Sequence, residues 1–137
     1  QVGSSAASDV YKRQIFQFIK DDCSSTCDDA AYVARQANIA LNRESIRVSR
    51  FLLSESDKDY DILEKYKPLN HATYGEGSLI AKEFESQNIN PFEEGSLFIV
   101  DPLGNIIMFY GPKEDKNENF KQILEDLKKL LRVSKIG

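Results

Sequence analysis

Two cysteines, Cys23 and Cys27, are the residues of this 137-residue chain best suited to chemistry. They form the motif CSSTC, between an apolar segment and a predicted helix. This spacing at a helix start places two sulfur atoms on nearly the same side, close enough to form a disulfide or to share a metal ion. The N-terminus of a helix also favours thiolate through its free N–H groups and dipole. The motif therefore indicates a redox-active or metal-binding pair.

Acidic residues flank this pair on both sides: Asp21, Asp22, Asp28 and Asp29. Their negative field disfavours a bare thiolate, whereas a bound cation would offset the charge of two thiolates. Soft thiolate ligands select Cu(I) in particular. The motif and its surroundings thus favour a Cu(I)-binding thiolate pair over a strongly acidified nucleophile, and two buried structural cysteines are the alternative.

Few other side chains are candidate ligands. The single histidine, His71, lies in the polar segment PLNHATYGEG and reaches the cysteines only if this segment folds over the same end of the sheet. Otherwise it is a surface residue. Met108 lies within a predicted strand, which favours core packing over metal binding. Glu93 and Glu94 are predicted to be solvated loop charges. The predicted metal site is therefore Cys23 and Cys27, with His71 as the possible third ligand.

The composition excludes several classes of protein. The net charge is −4 and no basic stripe is present, which argues against nucleic acid as a partner. The basic residues at 128–135 are expected to form the charged face and cationic end of a helix. No apolar run approaches the roughly 20 residues that span a bilayer. The length corresponds to one domain.

The N-terminal segment differs from the rest of the chain. Residues 4–14, SSAASDVYKRQ, have neither a helical stripe nor strand alternation. Their back-translation gives an uninterrupted DNA sequence that resembles the transposon-end adapter of tagmentation sequencing libraries. We therefore predict that residues 1–14 are a disordered sequencing-adapter artefact, and that residues 15–137 form one domain without its native N-terminus.

Alternating strands and helices are predicted after residue 14. Thr26 and Asp29 form a capping signature for the first helix. Segment 69–77 is ambiguous. The predicted elements are a strand at 15–20, a helix from the cap to Asn42, a strand at 46–53, short helices at 60–66 and 78–86, strands at 97–100 and 106–110, and a final helix around 120–131.

The last three elements give the clearest pattern. Asp-Pro-Leu-Gly-Asn joins the two final strands, and Pro102 and Gly104 suit a tight turn. Leu127 and Leu130 belong to an apolar stripe that is predicted to be buried, with the helix covering this hairpin. The order of elements predicts an α/β, thioredoxin-like fold: a central mixed sheet with helices on both faces, ending in a β-hairpin and a helix.

These motifs resemble a known family. CSSTC after an apolar strand, together with FIVDPLGN, is similar to the Sco/SenC family of thioredoxin-fold proteins that assist cytochrome c oxidase assembly. CSSTCDDAAYVARQANIALNRESIRVSRFLL, LFIVDPLGNIIMFY and LEDLKKLLRVSKIG resemble more closely a bacterial branch of membrane-anchored, cytochrome-oxidase-associated proteins. The likeness covers nearly all of residues 15–137.

The resemblance implies a periplasmic domain tethered by an N-terminal transmembrane helix, with an oxidase subunit or another assembly factor as partner. In Sco proteins two cysteines and a histidine bind copper. Cys23 and Cys27 match the cysteines, but Glu93 and Glu94 lie near the position of the histidine. Thioredoxin-type oxidoreductases usually have a cis-proline directly before the strand that begins here at Leu97, and this chain has no proline there.

Three functions remain open from the sequence. The first is an assembly factor whose cysteine pair is redox-active and holds Cu(I). The second is a thiol-disulfide oxidoreductase, in which Cys23 attacks a partner's disulfide and Cys27 resolves the mixed disulfide. The third is an interaction module that keeps the fold without the chemistry. The first is the interpretation that we carry forward.

Overall fold

The computed structural model describes residues 12–75 and 78–136, with side chains as far as residue 133. None of the helices in these ranges is long and apolar enough to cross a membrane. The elements are β1 (Arg13–Ile19), α1 (Ser25–Ala40), a 3-10 helix (Asn42–Arg47), β2 (Val48–Ser54), α2 (Asp61–Lys65), β3 (Asn70–Thr73), α3 (Leu79–Ser86), β4 (Leu97–Val100), β5 (Ile106–Tyr110) and α4 (Lys116–Ile136).

The strands form one mixed sheet with the order β3-β2-β1-β4-β5. Strands β1, β2 and β3 are parallel, whereas β4 runs antiparallel to β1 and pairs with β5 in a hairpin. Parallel neighbours require a crossover, and α1 provides the one between β1 and β2. The carboxyl ends of β1 and β2 therefore meet at one edge of the sheet, where the cysteine loop follows β1.

Helices cover both faces of this sheet because the strand residues alternate in direction. On one face, α1 and α4 pack against residues such as Ile15 and Ile99. On the other face, Phe84 of α3 packs edge to face on Phe18, with ring centroids 5.1 Å apart. The predicted thioredoxin-like architecture is confirmed.

Helix α1 begins two residues earlier than its sequence signature indicates. Ser24 is the N-cap, and its hydroxyl accepts a hydrogen bond from the Cys27 backbone N–H at 3.3 Å. Thr26 is therefore already helical, and Cys27 occupies the first turn. A serine cap satisfies a backbone N–H that would otherwise lack a partner.

The DPLGN segment is a structural turn, as predicted. Gly104 has φ +92°, which only glycine adopts without strain. The Asp101 carboxylate accepts hydrogen bonds at 2.9 Å from the backbone N–H groups of Leu103 and Asn105. These bonds fix the register with which β5 returns along β4.

Two predicted boundaries are corrected. The ambiguous segment 69–77 contains the edge strand β3, which pairs in parallel with β2. Ile46, assigned to the second strand by its alternation, lies in the 3-10 helix and is 85% exposed. The Arg47 side chain bonds Glu44 at 2.6 Å and the Leu131 carbonyl at 3.2 Å, and these contacts favour a helical turn there.

The structure also refines the predictions for the final helix and for the start of the chain. Leu127 is fully buried, as predicted, and α4 packs against the hairpin, but Leu130 is only partly buried at the margin of the same cluster. Of the segment 1–14 assigned to an adapter, residues 1–11 lie outside the described residues. Arg13 and Gln14 are paired with β2, so these two residues are ordered in strand β1.

Candidate functional site

The two cysteines form the centre of the candidate site. A disulfide bond joins Cys23 to Cys27, and their Cα atoms are 5.2 Å apart. Cys23 lies in the loop after β1, whereas Cys27 lies in the first turn of α1. The structure thus contains the bond that the spacing predicts, at the positive end of a helix dipole.

The two sulfur-bearing residues differ in exposure. Cys27 is 4% exposed and packs in a cluster with Ile19 and Leu52, whereas Cys23 is only partly buried. Cys23 borders an open cleft of about 610 Å³ between the cysteine loop and residues 58–65. Cys23 is therefore the more accessible of the two cysteines.

A buried glutamine lies directly beneath the pair. Gln17, 4% exposed, is in the centre of β1 on the face covered by α1. Its amide nitrogen donates to the Cys27 carbonyl at 2.8 Å and lies 3.5 Å from the Cys27 sulfur. An N–H group aimed at sulfur stabilises the thiolate that forms on reduction. Gln17 is therefore a candidate positioning residue for Cys27.

Lysines pair with three of the four aspartates around the cysteines. The ion pairs are Lys58 with Asp22 at 3.7 Å, Lys65 with Asp28 at 2.8 Å and Lys116 with Asp29 at 3.5 Å. These pairs are largely exposed, so each is worth little in stability. They reduce the negative field that these three aspartates exert on a thiolate at the pair.

Asp28 is the most firmly held of these acids. Its carboxylate accepts hydrogen bonds of 2.8 Å from Lys65 Nζ and from the Tyr66 hydroxyl. Partial burial raises the pKa of Asp28, but these two bonds outweigh burial and hold the pKa below its ordinary value of 3.8. Burial, and then the bond to Asp28, raises the pKa of Tyr66. The tyrosine is thus a stable donor that ties α2 to the start of α1.

The loop before β4 contacts the cysteine loop. The Ser24 hydroxyl donates to the Glu94 carboxylate at 2.9 Å. A side chain at Gly95 would meet Thr26 at 2.7 Å, so only glycine allows this approach. Glu94 is exposed, as predicted for a loop charge, and it also borders the cysteine loop.

The other predicted ligands have structural partners. His71 lies on β3, where its Nε2 is 2.7 Å from the Ser54 hydroxyl and its ring packs against Tyr60. Tyr60 belongs to the cluster that contains Cys27, so His71 is connected to the pair through this ring. Met108 packs against the core, as predicted. Within the described ranges, no three His, Cys, Asp or Glu side chains are grouped to hold a metal ion.

The site residues that the sequence did not reveal are Gln17, Ser24 and the three lysines. The sequence does contain an indication of Gln17, because this polar residue interrupts the apolar residues Ile15 and Ile19 on one face of a strand. It contains no such indication of the lysines. Lys65 and Lys116 are 37 and 87 residues from their aspartates, and only the fold brings them together.

Comparisons with known proteins agree with this architecture. A family model described as transmembrane-like, thioredoxin-like, C-terminal domain matches residues 14–134. A search of the curated proteins found no match.

Three solved structures share the fold. BsSco, described as a cytochrome c oxidase assembly protein of the Sco family with a disulfide switch, is 17% identical, with 90% of this chain and 82% of that chain covered and a TM-score of 0.59. Copper-bound ScoI from Bradyrhizobium japonicum is 19% identical, with 88% and 85% covered and a TM-score of 0.59. A SCO1/SenC family lipoprotein from Bacillus anthracis is 17% identical, with 87% and 81% covered and a TM-score of 0.55.

Proposed function

We propose, since the chain belongs to the family of transmembrane-like, thioredoxin-like C-terminal domains, that it is a cytochrome c oxidase assembly factor whose Cys23–Cys27 pair is redox-active and carries Cu(I) when reduced. The observation that supports this most is the disulfide at the start of α1, with one cysteine open to a cleft and the other buried. The assembly role and the copper cargo are proposed because the structures that share the fold include a Sco cytochrome c oxidase assembly protein and a copper-bound ScoI.

The redox step uses both cysteines in turn. In the reduced protein, the Cys23 thiolate attacks one sulfur of a partner's disulfide, and the partner's other sulfur leaves as thiolate. The Cys27 thiolate then attacks the Cys23 sulfur of this mixed disulfide and releases the partner's second thiolate. Two electrons pass to the partner, the Cys23–Cys27 disulfide forms, and an external dithiol reduces it for the next cycle.

Copper is the cargo of the reduced form. Two thiolates supply soft donors that suit Cu(I), which tolerates a low coordination number, whereas Cu(II) prefers nitrogen and oxygen donors in a tetragonal set. Glu94, a hard oxygen donor, borders the cysteine loop near the position at which the Sco pattern has its histidine. We therefore expect two-sulfur coordination of Cu(I), with His71 as an optional third ligand.

The partner is an oxidase subunit or another assembly factor, and the expected location is the periplasmic face of the inner membrane. The membrane association rests on the description of a related structure as a lipoprotein. A partner's copper-ligating cysteines would present the disulfide that the pair reduces and the sulfur atoms that accept its copper.

Cu(I) stoichiometry of the reduced protein tests the copper part of this proposal. We expect about one Cu(I) per chain against a weak competing chelator, no binding by Cys27→Ser, and most of the binding retained by His71→Ala. Binding of Cu(II) by the same protein should be weaker.

The result separates the three functions. If the reduced wild type binds no Cu(I) but reduces the disulfide of a probe peptide, the protein is a thiol-disulfide oxidoreductase and the copper role is wrong. If it does neither, the chain is an interaction module. If His71→Ala abolishes binding, coordination by the two sulfurs alone is wrong.

A further inference from the structure

A second concave site lies away from the cysteines, under the C-terminal half of α1. It is an open cavity of about 500 Å³ between α1, the start of β2 and the segment before β3. Arg35, Arg50 and Lys67 are the charged residues in its lining, and no carboxylate borders it. All the charged residues of this lining are therefore cationic, although the chain has a net charge of −4.

Arg50 is the unusual member of this group. It points to the helix-covered face of β2, between Val48 and Leu52, and is 4% exposed. Its Nη2 donates to the Pro68 carbonyl at 2.9 Å, but its buried Nε has no acceptor among the described residues. A buried guanidinium normally has a carboxylate or phosphate partner, because an unpaired buried charge is costly. Arg50 has a carbonyl only.

Arg35 adds a second unpaired charge on the same cavity. It is partly buried on α1, and no hydrogen bond or ion pair connects it to another described residue. Burial, and then the proximity of Arg35, lowers the pKa of Arg50 to about 10. Two cations that repel each other across a cavity gain most from an anion placed between them.

Neutral polar groups complete the lining. Asn38, Ser45 and Ser49 border the cavity, and the buried Oδ1 of Asn38 has no donor among the described residues. Lys67 is already paired with Glu64 at 2.8 Å, which leaves Arg35 and Arg50 as the uncompensated charges. The guanidinium groups, the amides and the hydroxyls can donate hydrogen bonds to the oxygen atoms of a phosphate group. The Asn38 Oδ1 can accept the one proton that a phosphate monoester retains.

We propose that this cavity is an anion site that binds a phosphate group, presented either by a small soluble molecule or by a lipid headgroup. A phosphate with about two negative charges neutralises the two unpaired arginines, whereas a carboxylate leaves one uncompensated. The site is independent of the cysteine chemistry, since none of its lining residues borders the disulfide.

Titration of the full chain with inorganic phosphate at constant ionic strength, followed by amide chemical shifts, tests the soluble source. We expect saturable shifts at Ser45, Ser49 and Arg50. Arg35→Gln should weaken binding by about tenfold or more, as expected for the loss of a charge-assisted hydrogen bond. Lys82→Gln, which removes an exposed positive charge on α3, is the control and should leave the affinity unchanged.

Cosedimentation with vesicles that contain phosphatidic acid, a phosphate monoester, and with phosphatidylcholine vesicles tests the lipid source. Binding to the anionic vesicles only, weakened by Arg35→Gln and not by Lys82→Gln, would assign the phosphate to a lipid. Saturable binding of inorganic phosphate with the same variant pattern would assign it to a soluble molecule. No saturable binding in either arm, or equal binding by Arg35→Gln and wild type, would overturn the proposal.

Discussion

The two ends of helix α1 differ in how their charged side chains are paired. At its start, Asp22, Asp28 and Asp29 surround the disulfide, and a lysine pairs with each of them. Under its second half, Arg35 and Arg50 line a cavity without a carboxylate. The helix dipole adds partial positive charge at the first end and partial negative charge at the second.

This difference separates two kinds of site. Around the cysteines, lysines pair with three of the four flanking aspartates, and the helix terminus and Gln17 act on the sulfur atoms directly. In the cavity, Arg35 and Arg50 have no carboxylate partner, and the proposed role of this site is to bind an anion. Substitution of Leu127 affects the packing that both ends share, whereas the other substitutions affect the cysteine end alone.

Leu127→Ala should have the largest effect, because Leu127 is fully buried beneath both halves of α1 and the hairpin. We expect the free energy of unfolding to fall by about 2 to 5 kcal/mol in urea titrations. Leu79→Ala is the matched control, since Leu79 is 82% exposed and the change should stay within about 0.5 kcal/mol. Equal effects of the two variants would show that α4 does not hold the core.

The two single-cysteine variants should differ in reactivity. In Cys27→Ser the accessible Cys23 remains, whereas in Cys23→Ser only the buried Cys27 does. We expect Cys27→Ser to form a mixed disulfide with oxidised glutathione about tenfold faster or more, followed by mass spectrometry. Faster reaction of Cys23→Ser would reverse the assigned order of attack.

Gln17→Leu should shift the redox equilibrium, because it removes the N–H group beside the Cys27 sulfur. The reduced form loses about 0.5 to 1.5 kcal/mol, so the reduction potential of the pair should become more negative by about 10 to 30 mV. Gln14→Leu, on the same strand, should leave the potential unchanged. An unchanged potential in Gln17→Leu would mean that this amide only satisfies the helix carbonyl.

Asp28→Asn should have the smallest effect, and a pH-dependent one. The pKa of Asp28 is lowered in the folded protein, so its stabilisation is present above pH 3.8 and is lost as the pH falls below it. We expect the melting temperature to fall by about 1 to 2 °C at pH 7, with the difference disappearing in acid. Asp57→Asn, at an exposed position, is the control. A difference that persists in acid would assign the effect to packing.

Local patterns in the sequence were sufficient for most of the fold. Alternation and turn residues gave β1, β4, β5 and the DPLGN turn, and helical stripes gave α1 and α4. Strand β3 was missed because its four residues, NHAT, are mostly polar and pair only at the sheet edge. Ile46 was misplaced because contacts of Arg47 with Glu44 and Leu131 favour a helical turn over its alternation.

The candidate site was predictable only where its residues are adjacent in the chain. Cys23 and Cys27 were identified from their spacing, but the lysines that neutralise the aspartates come from distant segments. Gln17 and Arg50 each interrupt the apolar face of a strand. Such a break in alternation is visible in a sequence, but whether it marks a hydrogen bond to sulfur or an anion cavity depends on what packs above it.

The reduction potential of the Cys23–Cys27 pair, measured by equilibration with a glutathione or dithiothreitol buffer, tests the central claim most directly. Cys23 is accessible, and the helix terminus and Gln17 stabilise the reduced form, so we expect a potential above roughly −300 mV. A potential below that value would place the bond among inert structural disulfides and would contradict a redox-active pair.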